Sequence, residues 1–239
     1  EEIAAKAPSS IIDWKILGCT LAIGDFSAAV KLLWKLSEKN SDTDAQLKLS
    51  KLAALLAEKT NTGDVLESAL ERCFALLQKQ PNVLPKELLA SATELSTFYK
   101  DKKLLKKEEA LTKELLAFEK TKPGLFSGEV VSELESTLAK HLIKDGHSQQ
   151  AILSLEKALT LKENTAERET LQRLYIQNDE LDQAIVCGQT LIDQNPTYIP
   201  YYKVLLGLYQ KINDLDSAVR TSLVLKELLE DLPEDIAVG

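Results

Sequence analysis

Apolar residues recur along this chain at three- and four-residue steps, the spacing of helices that bury one face. Six segments open with Ala and an aliphatic residue and continue in that phase. They begin at Ala29-Val30, Ala69-Leu70, Ala110-Leu111, Ala151-Ile152, Ala184-Ile185 and Ala218-Val219. The Ala-to-Ala spacings are 40, 41, 41, 33 and 34. Polar turn signals precede five of them, at Gly24-Asp25, Gly63-Asp64, Gly146, Asn178-Asp179 and Asn213-Asp214, and a lysine-rich stretch takes that place in the third. Pro81, Pro123, Pro196 and Pro233 follow Ala-led helices and end them, because proline cannot continue a helix. The pattern predicts about six helix-turn-helix units, stacked because none can bury its apolar face alone.

Residues inside these units resemble the tetratricopeptide repeat (TPR). Its 34-residue hairpin carries an early aromatic, Leu-Gly, then Tyr on helix A, and a small Ala on helix B before a closing Pro. Trp14, Leu17, Gly18, Gly24-Asp25-Phe26 and Ala29 match the first half of that pattern. Leu138-Ala139, Leu142, Gly146, Ala151, Leu155 and Ala158 match one full repeat. Leu171, Tyr175, Ala184, Leu191 and Pro196 match the next, and Tyr202, Leu205, Tyr209, Ala218 and Leu225 the last. The resemblance is strongest over residues 132–232 and degenerate over 10–122. It implies an all-α, right-handed superhelical solenoid of about six antiparallel hairpins. Residues 1–122 would hold about three degenerate hairpins and 123–239 about three regular ones, in one continuous stack. Two spacings are one residue short: Gly18 to Gly24, and Ala158 to Tyr175. The chain has no Met, and one methionine restored at each point would repair both.

Charge and composition narrow the function. The net charge is −8; residues 1–120 carry 18 basic and 18 acidic side chains, and 121–239 carry 11 and 19. That balance gives no electrostatic footprint for nucleic acid. The lysines at 100, 102, 103, 106 and 107 read as a solvated hairpin tip. The longest apolar run is the six residues Leu52 to Ala57, too short to span a bilayer. Glu1 to Ser10 shows no signal peptide. Three cysteines, Cys19, Cys73 and Cys187, read as free buried thiols, which leans cytoplasmic. His141 and His147 share no helix face. No metal-ligand spacing, phosphate loop or nucleophile motif occurs, so the reading is non-catalytic, with no cofactor and no metal.

A repeat solenoid works through an extended surface, and the resemblance places that surface on the A helices. Lys140 and Lys144, then Arg173, then Lys203 fall on those helices, with Ser136, Gln177 and Gln210 between them. The expected site is therefore Lys140, Lys144, Arg173, Gln177, Lys203 and Gln210, a basic stripe in the acidic half, suited to a peptide with carboxylates. The carboxylate clamp known among TPRs uses Asn on successive A helices; Thr137, Thr170 and Val204 stand at those places, which argues against it. The expected function is a protein-interaction scaffold or adaptor. A structural subunit of a larger assembly, or a co-chaperone, is the alternative. The last helix is apolar over a wide arc, through Val219, Leu223, Val224, Leu225, Leu228 and Leu229. Oligomers through exposed end helices would cover it.

Overall fold

The computed structural model describes residues 11–80 and 82–230, and within them every regular element is a helix. The helices are α1 (Ile11–Ala22), α2 (Phe26–Lys39), α3 (Thr43–Thr60), α4 (Gly63–Lys79), α5 (Pro85–Asp101) and α6 (Leu105–Thr121). They continue with α7 (Gly128–Lys144), α8 (Ser148–Leu161), α9 (Thr165–Gln177), α10 (Leu181–Gln194), α11 (Ile199–Lys211) and α12 (Leu215–Glu230). Helices α1 and α2, α3 and α4, α7 and α8, α9 and α10, and α11 and α12 pack as the A and B members of hairpins, and α5 and α6 follow one another through the same kind of turn as the third hairpin.

One turn joins all six. Its left-handed residue is Gly24, Asn61, Lys103, Gly146, Asp179 or Asn213, with φ between 54° and 78°. In hairpin four, Gly146 N–H donates to Ile143 O and His147 N–H to Leu142 O, at 3.1 and 2.8 Å. The other five turns repeat this pair of bonds, the Schellman closure that satisfies carbonyls at a helix C-terminus. The residue after the left-handed one opens helix B, and its carbonyl accepts from an N–H four residues on. Asp25 and Asp214 also cap helix B with their side chains, accepting from Ala28 N–H and Ser217 N–H. Hydrogen bonds to Ser217 hold the Asp214 carboxyl below its usual range. Breaks at Pro123 and Pro196 separate hairpins as the sequence predicts; Pro81 and Pro233 lie outside the described residues.

This turn gives a firmer register than the alanines do. Five residues after the left-handed residue come Ala29, Leu66, Glu108, Ala151, Ala184 and Ala218. Four of these are alanines that the sequence pattern marks, and each is 7% exposed or less. Ala69 is buried but lies about one helical turn beyond its expected place. Ala110 is exposed: it lies two residues past Glu108, about 200° around the helix and away from helix A. Glu108 itself is 4% exposed at the crossing position, with Lys100 Nζ 3.3 Å from its carboxylate. A charge at a buried helix crossing is tolerable only when so paired.

The lysine-rich stretch is a solvated hairpin tip, as expected, with Lys100, Lys102, Lys103, Lys106 and Lys107 all exposed. Lys103 makes the turn, Lys107 pairs with Glu67 and Glu71, and Lys102 lies 6.0 Å from the Phe98 ring centre. Gly18 shows a similar offset. Nothing lies within 4 Å of where its Cβ would be, and Leu17 takes the buried place beside it.

The chain forms two compact units, Glu1–Leu111 and Thr112–Gly239, with α6 crossing the division. In the first, Val30, Leu33 and Leu36 of α2 pack with Leu49, Ala53 and Ala57 of α3, and Leu70, Phe74 and Leu77 of α4 continue the core. In the second, one apolar cluster runs from Ala139 through Leu155, Leu171, Tyr175, Ile185 and Leu205 to Ala218.

Cysteine exposure follows the same packing. Cys73 and Cys187 are buried, and burial pushes the Cys73 thiol up to about 12. Cys19 is exposed rather than buried, because α1 has no neighbour on that side among the described residues. A thiol titration in native buffer is expected to find one fast group, Cys19, with the other two reacting only on unfolding. Three fast groups in the folded protein would contradict this burial.

Candidate functional site

The second unit shows where the expected site residues fall. On the A helices α7, α9 and α11, four exposed or half-buried positions recur at fixed steps before the turn residue, along one stripe of the helix. From the far end toward the turn, these columns hold Glu133, Ala166 and Pro200; Thr137, Thr170 and Val204; Lys140, Arg173 and Gly207; and Lys144, Gln177 and Lys211. Lys140 and Arg173 thus share one column, and Lys144 and Gln177 another. Lys203 lies in a different column, aligned with Glu169 and Ser136, and Gln210 aligns with Ile143 and Ile176. All six expected residues are exposed. Ser136 is buried at 4%, its hydroxyl without a hydrogen-bond partner. Lys211 is the cation that sequence spacing missed; it pairs with Asp179 at 2.6 Å.

The four cations of the expected site share one property. Among the described residues, Lys140, Lys144, Arg173 and Lys203 form no ion pair, and Arg173 donates only to Thr170 Oγ1 at 3.2 Å. Elsewhere in this unit Lys157 pairs with Glu135, Lys162 with Glu129, Arg168 with Glu163 and Lys226 with Glu230. Among the described residues Lys122 and Arg220 also form no ion pair, so what distinguishes these four is their place on the A helices α7, α9 and α11, in the half of the chain that carries the whole net negative charge.

A second feature lies on the B-helix side and has no signal in the sequence. A groove of about 520 Å³ runs between α8, α9 and α10. Leu159, Leu171 and Cys187 form its floor, and Glu156, Asp182, Gln183 and Arg168 its rim. Tyr175 spans it, donating from its hydroxyl to Glu156; burial and that bond push the phenol above its usual range. One hairpin on, Gln189, Ile192, Leu205, Thr221 and Tyr202 line a smaller groove of about 230 Å³. The tyrosine four residues before the turn recurs as a latch. Tyr99 donates to Glu71 at 2.8 Å and Tyr209 accepts from Gln189 at 2.8 Å. Each joins an A helix to the preceding B helix.

Among the described residues no three His, Cys, Asp or Glu side chains converge as a metal site, and no helix is long and apolar enough to cross a membrane.

No protein-family model and no curated protein matches the chain. Solved structures do. A MamA structure (AMB-1) is 14% identical over 82% of this chain and 98% of its own, with a TM-score of 0.51. YrrB, described as a TPR protein with an unusual peptide-binding site, is 15% identical over 86% and 93%, TM-score 0.49. The TPR-like repeats of a putative kinesin light chain from Podosopora anserina are 15% identical over 79% and 97%, TM-score 0.47. At such identities likeness speaks of fold. Six antiparallel hairpins closed by one turn, and the match to MamA, give this chain the all-α TPR-like solenoid fold.

Proposed function

We propose that this chain is a non-catalytic interaction scaffold whose A-helix face in the second unit holds a partner segment bearing carboxylates. The observation that carries the reading is the set of unpaired cations. Lys140, Lys144, Arg173 and Lys203 are solvent-facing, and among the described residues no carboxylate neutralises them. Arg173 and Lys140 share one column on neighbouring A helices, so an extended segment crossing α7 and α9 meets both. Gln177 adds an amide beside them, able to donate and accept. The absence of Asn from the Thr137, Thr170 and Val204 column favours side-chain carboxylates over a clamped chain terminus.

The test uses a fluorescent extended peptide with alternating Glu and aliphatic residues, and its Gln counterpart. Anisotropy is expected to show binding of the Glu peptide that weakens with salt, as screening of exposed charges requires. Reversing both charges in one column (Lys140→Glu with Arg173→Glu) is expected to cost about tenfold in affinity, or roughly 1.4 kcal/mol. Equal affinity for the two peptides, or no change on charge reversal, overturns the reading.

A further inference from the structure

We propose that the groove between α8 and α10 is a second docking site, which takes two turns of a partner's amphipathic helix with aliphatic side chains on one face and Lys or Arg beside them. Helices α8 and α10 each pack on α9, and the valley between them has α9 as its floor. The lining of this groove of about 520 Å³ follows α9 from Arg168 to Tyr175, and that stretch of helix rises roughly 10 Å. Side chains at i, i+4 and i+7 of a docked helix share one face and cover the same length. The surface that they would meet is apolar. Leu159, Leu171 and Cys187 are 9%, 3% and 4% exposed, and Val186 stands on the α10 wall at 60%. Apolar anchors of an amphipathic helix fit a groove of this kind.

Charge selects among apolar partners. Near the hairpin turn two carboxylates flank the groove, Glu156 from α8 and Asp182 from the first turn of α10. The Tyr175 hydroxyl holds Glu156 in place, and among the described residues Asp182 forms no ion pair. At the far end Arg168 is neutralised by Glu163. The open charge of the groove is therefore negative and gathered at one end, which complements a helix with Lys or Arg at that end.

The smaller groove one hairpin on separates shape from lining. Counted from the turn, Gln189, Ile192 and Leu205 take the places of Glu156, Leu159 and Leu171 there, and Arg220 and Thr221 those of Val186 and Cys187. The valley thus comes with the repeat. The second one has an amide where the first has a carboxylate, and a cation where the first has an apolar wall. Acidic rim and apolar wall come together in the first. None of Lys140, Lys144, Arg173 and Lys203 lines it, so this proposal and the peptide reading hold or fail separately.

Two fluorescent helical peptides test it on the whole chain. One carries Leu at i, i+4 and i+7 with Lys beside them, and the other has Glu in place of Lys. Anisotropy is expected to show the Lys peptide binding at least about tenfold more tightly. Its addition is expected to shift the amide NMR signals of residues lining the groove on α8, α9 and α10. Asp182→Lys and Val186→Asp are each expected to weaken binding about tenfold. Both sites are exposed, so circular dichroism should not change. Lys140→Glu with Arg173→Glu is expected to leave this peptide's binding no weaker. Equal affinity for the two peptides overturns the proposal, as does no binding at millimolar peptide. Binding that survives both groove variants overturns it too, since the acidic chain would then attract the peptide without this site. So do shifts confined to residues outside the groove.

Discussion

Leu191→Ala is expected to cost the second unit about 3 kcal/mol or more, while Leu153→Ala costs under about 0.5 kcal/mol. Leu191 has no exposed surface, whereas Leu153, on the preceding B helix, is 53% exposed. Removing a fully buried leucine forfeits the transfer energy of its methyl groups and leaves a cavity that close-packed neighbours cannot fill. Those neighbours are fixed from both sides. Leu191 holds the same place on its B helix, counted from the turn, as Leu36 and Ala158 hold on theirs, and these are 3% and 0% exposed. In this column the B helix meets both its own A helix and the following one. The loss should therefore spread to neighbouring hairpins, since repeat stability is a sum of internal and interface terms. Urea unfolding of the variants gives the size of the effect, and amide exchange gives its extent. Protection should fall from α9 through α11 and leave α2 to α4 unchanged. Equal losses from the two substitutions would mean that the burial pattern is wrong.

How much of this is legible in the sequence depends on which residues make the turn. Where the left-handed residue is Gly146, Asp179 or Asn213, the turn chemistry is visible and the repeat count follows. Where it is Lys103 it is not, because lysine carries no preference for positive φ. The alanine then misleads: Ala110 lies two residues from the crossing, and the residue at the crossing is a paired glutamate that no small-residue rule would choose. Hairpins two and three are also built from helices of 17 and 18 residues, against 13 and 14 for α8 to α11. That length difference, and not a different turn, sets the longer period. The basic stripe is legible in part. Helical phase places Arg173 and Lys140 on solvent-facing positions, but the column of Lys203 emerges only once Asn213 fixes the end of α11. The B-side groove has no sequence signal, since three helices from two hairpins build it. The tyrosines are legible as core residues, and their latch partners are not. A partner late on the previous B helix is polar in a helix that is polar on that side anyway.

Gly188→Ala is expected to destabilise the second unit by about 2 kcal/mol in the native sequence, the usual range for overpacking a core, and by much less when Gln172 is also Ala. A Cβ at Gly188 would lie 2.6 Å from Gln172 Nε2 and 3.2 Å from Leu205 Cδ1. The first distance is inside contact and the second is tight, so the added methyl group must displace a side chain held in a full core. Gln172 cannot yield cheaply. It is 6% exposed, and its amide donates to Ala184 O at 3.1 Å; moving it strands a buried polar group, at about 1–3 kcal/mol. The equivalent A-helix position in hairpin four is Ala139, and the equivalent of Gly188 there is Leu155. One hairpin thus pairs a small A residue with a large B residue, and the next pairs a large A residue with none. Volume is conserved across the crossing, and the exchange explains why a glycine sits in mid-helix despite its cost of about 1 kcal/mol against alanine. A double-mutant cycle measures the coupling. Gln172→Ala alone loses its hydrogen bond and opens space, and Gly188→Ala added to it fills part of that space. The two changes should then fall short of additivity by at least about 1 kcal/mol. Strict additivity would mean that the two residues do not share the crossing, and a stabilising Gly188→Ala in the native sequence would mean that helix propensity outweighs the clash.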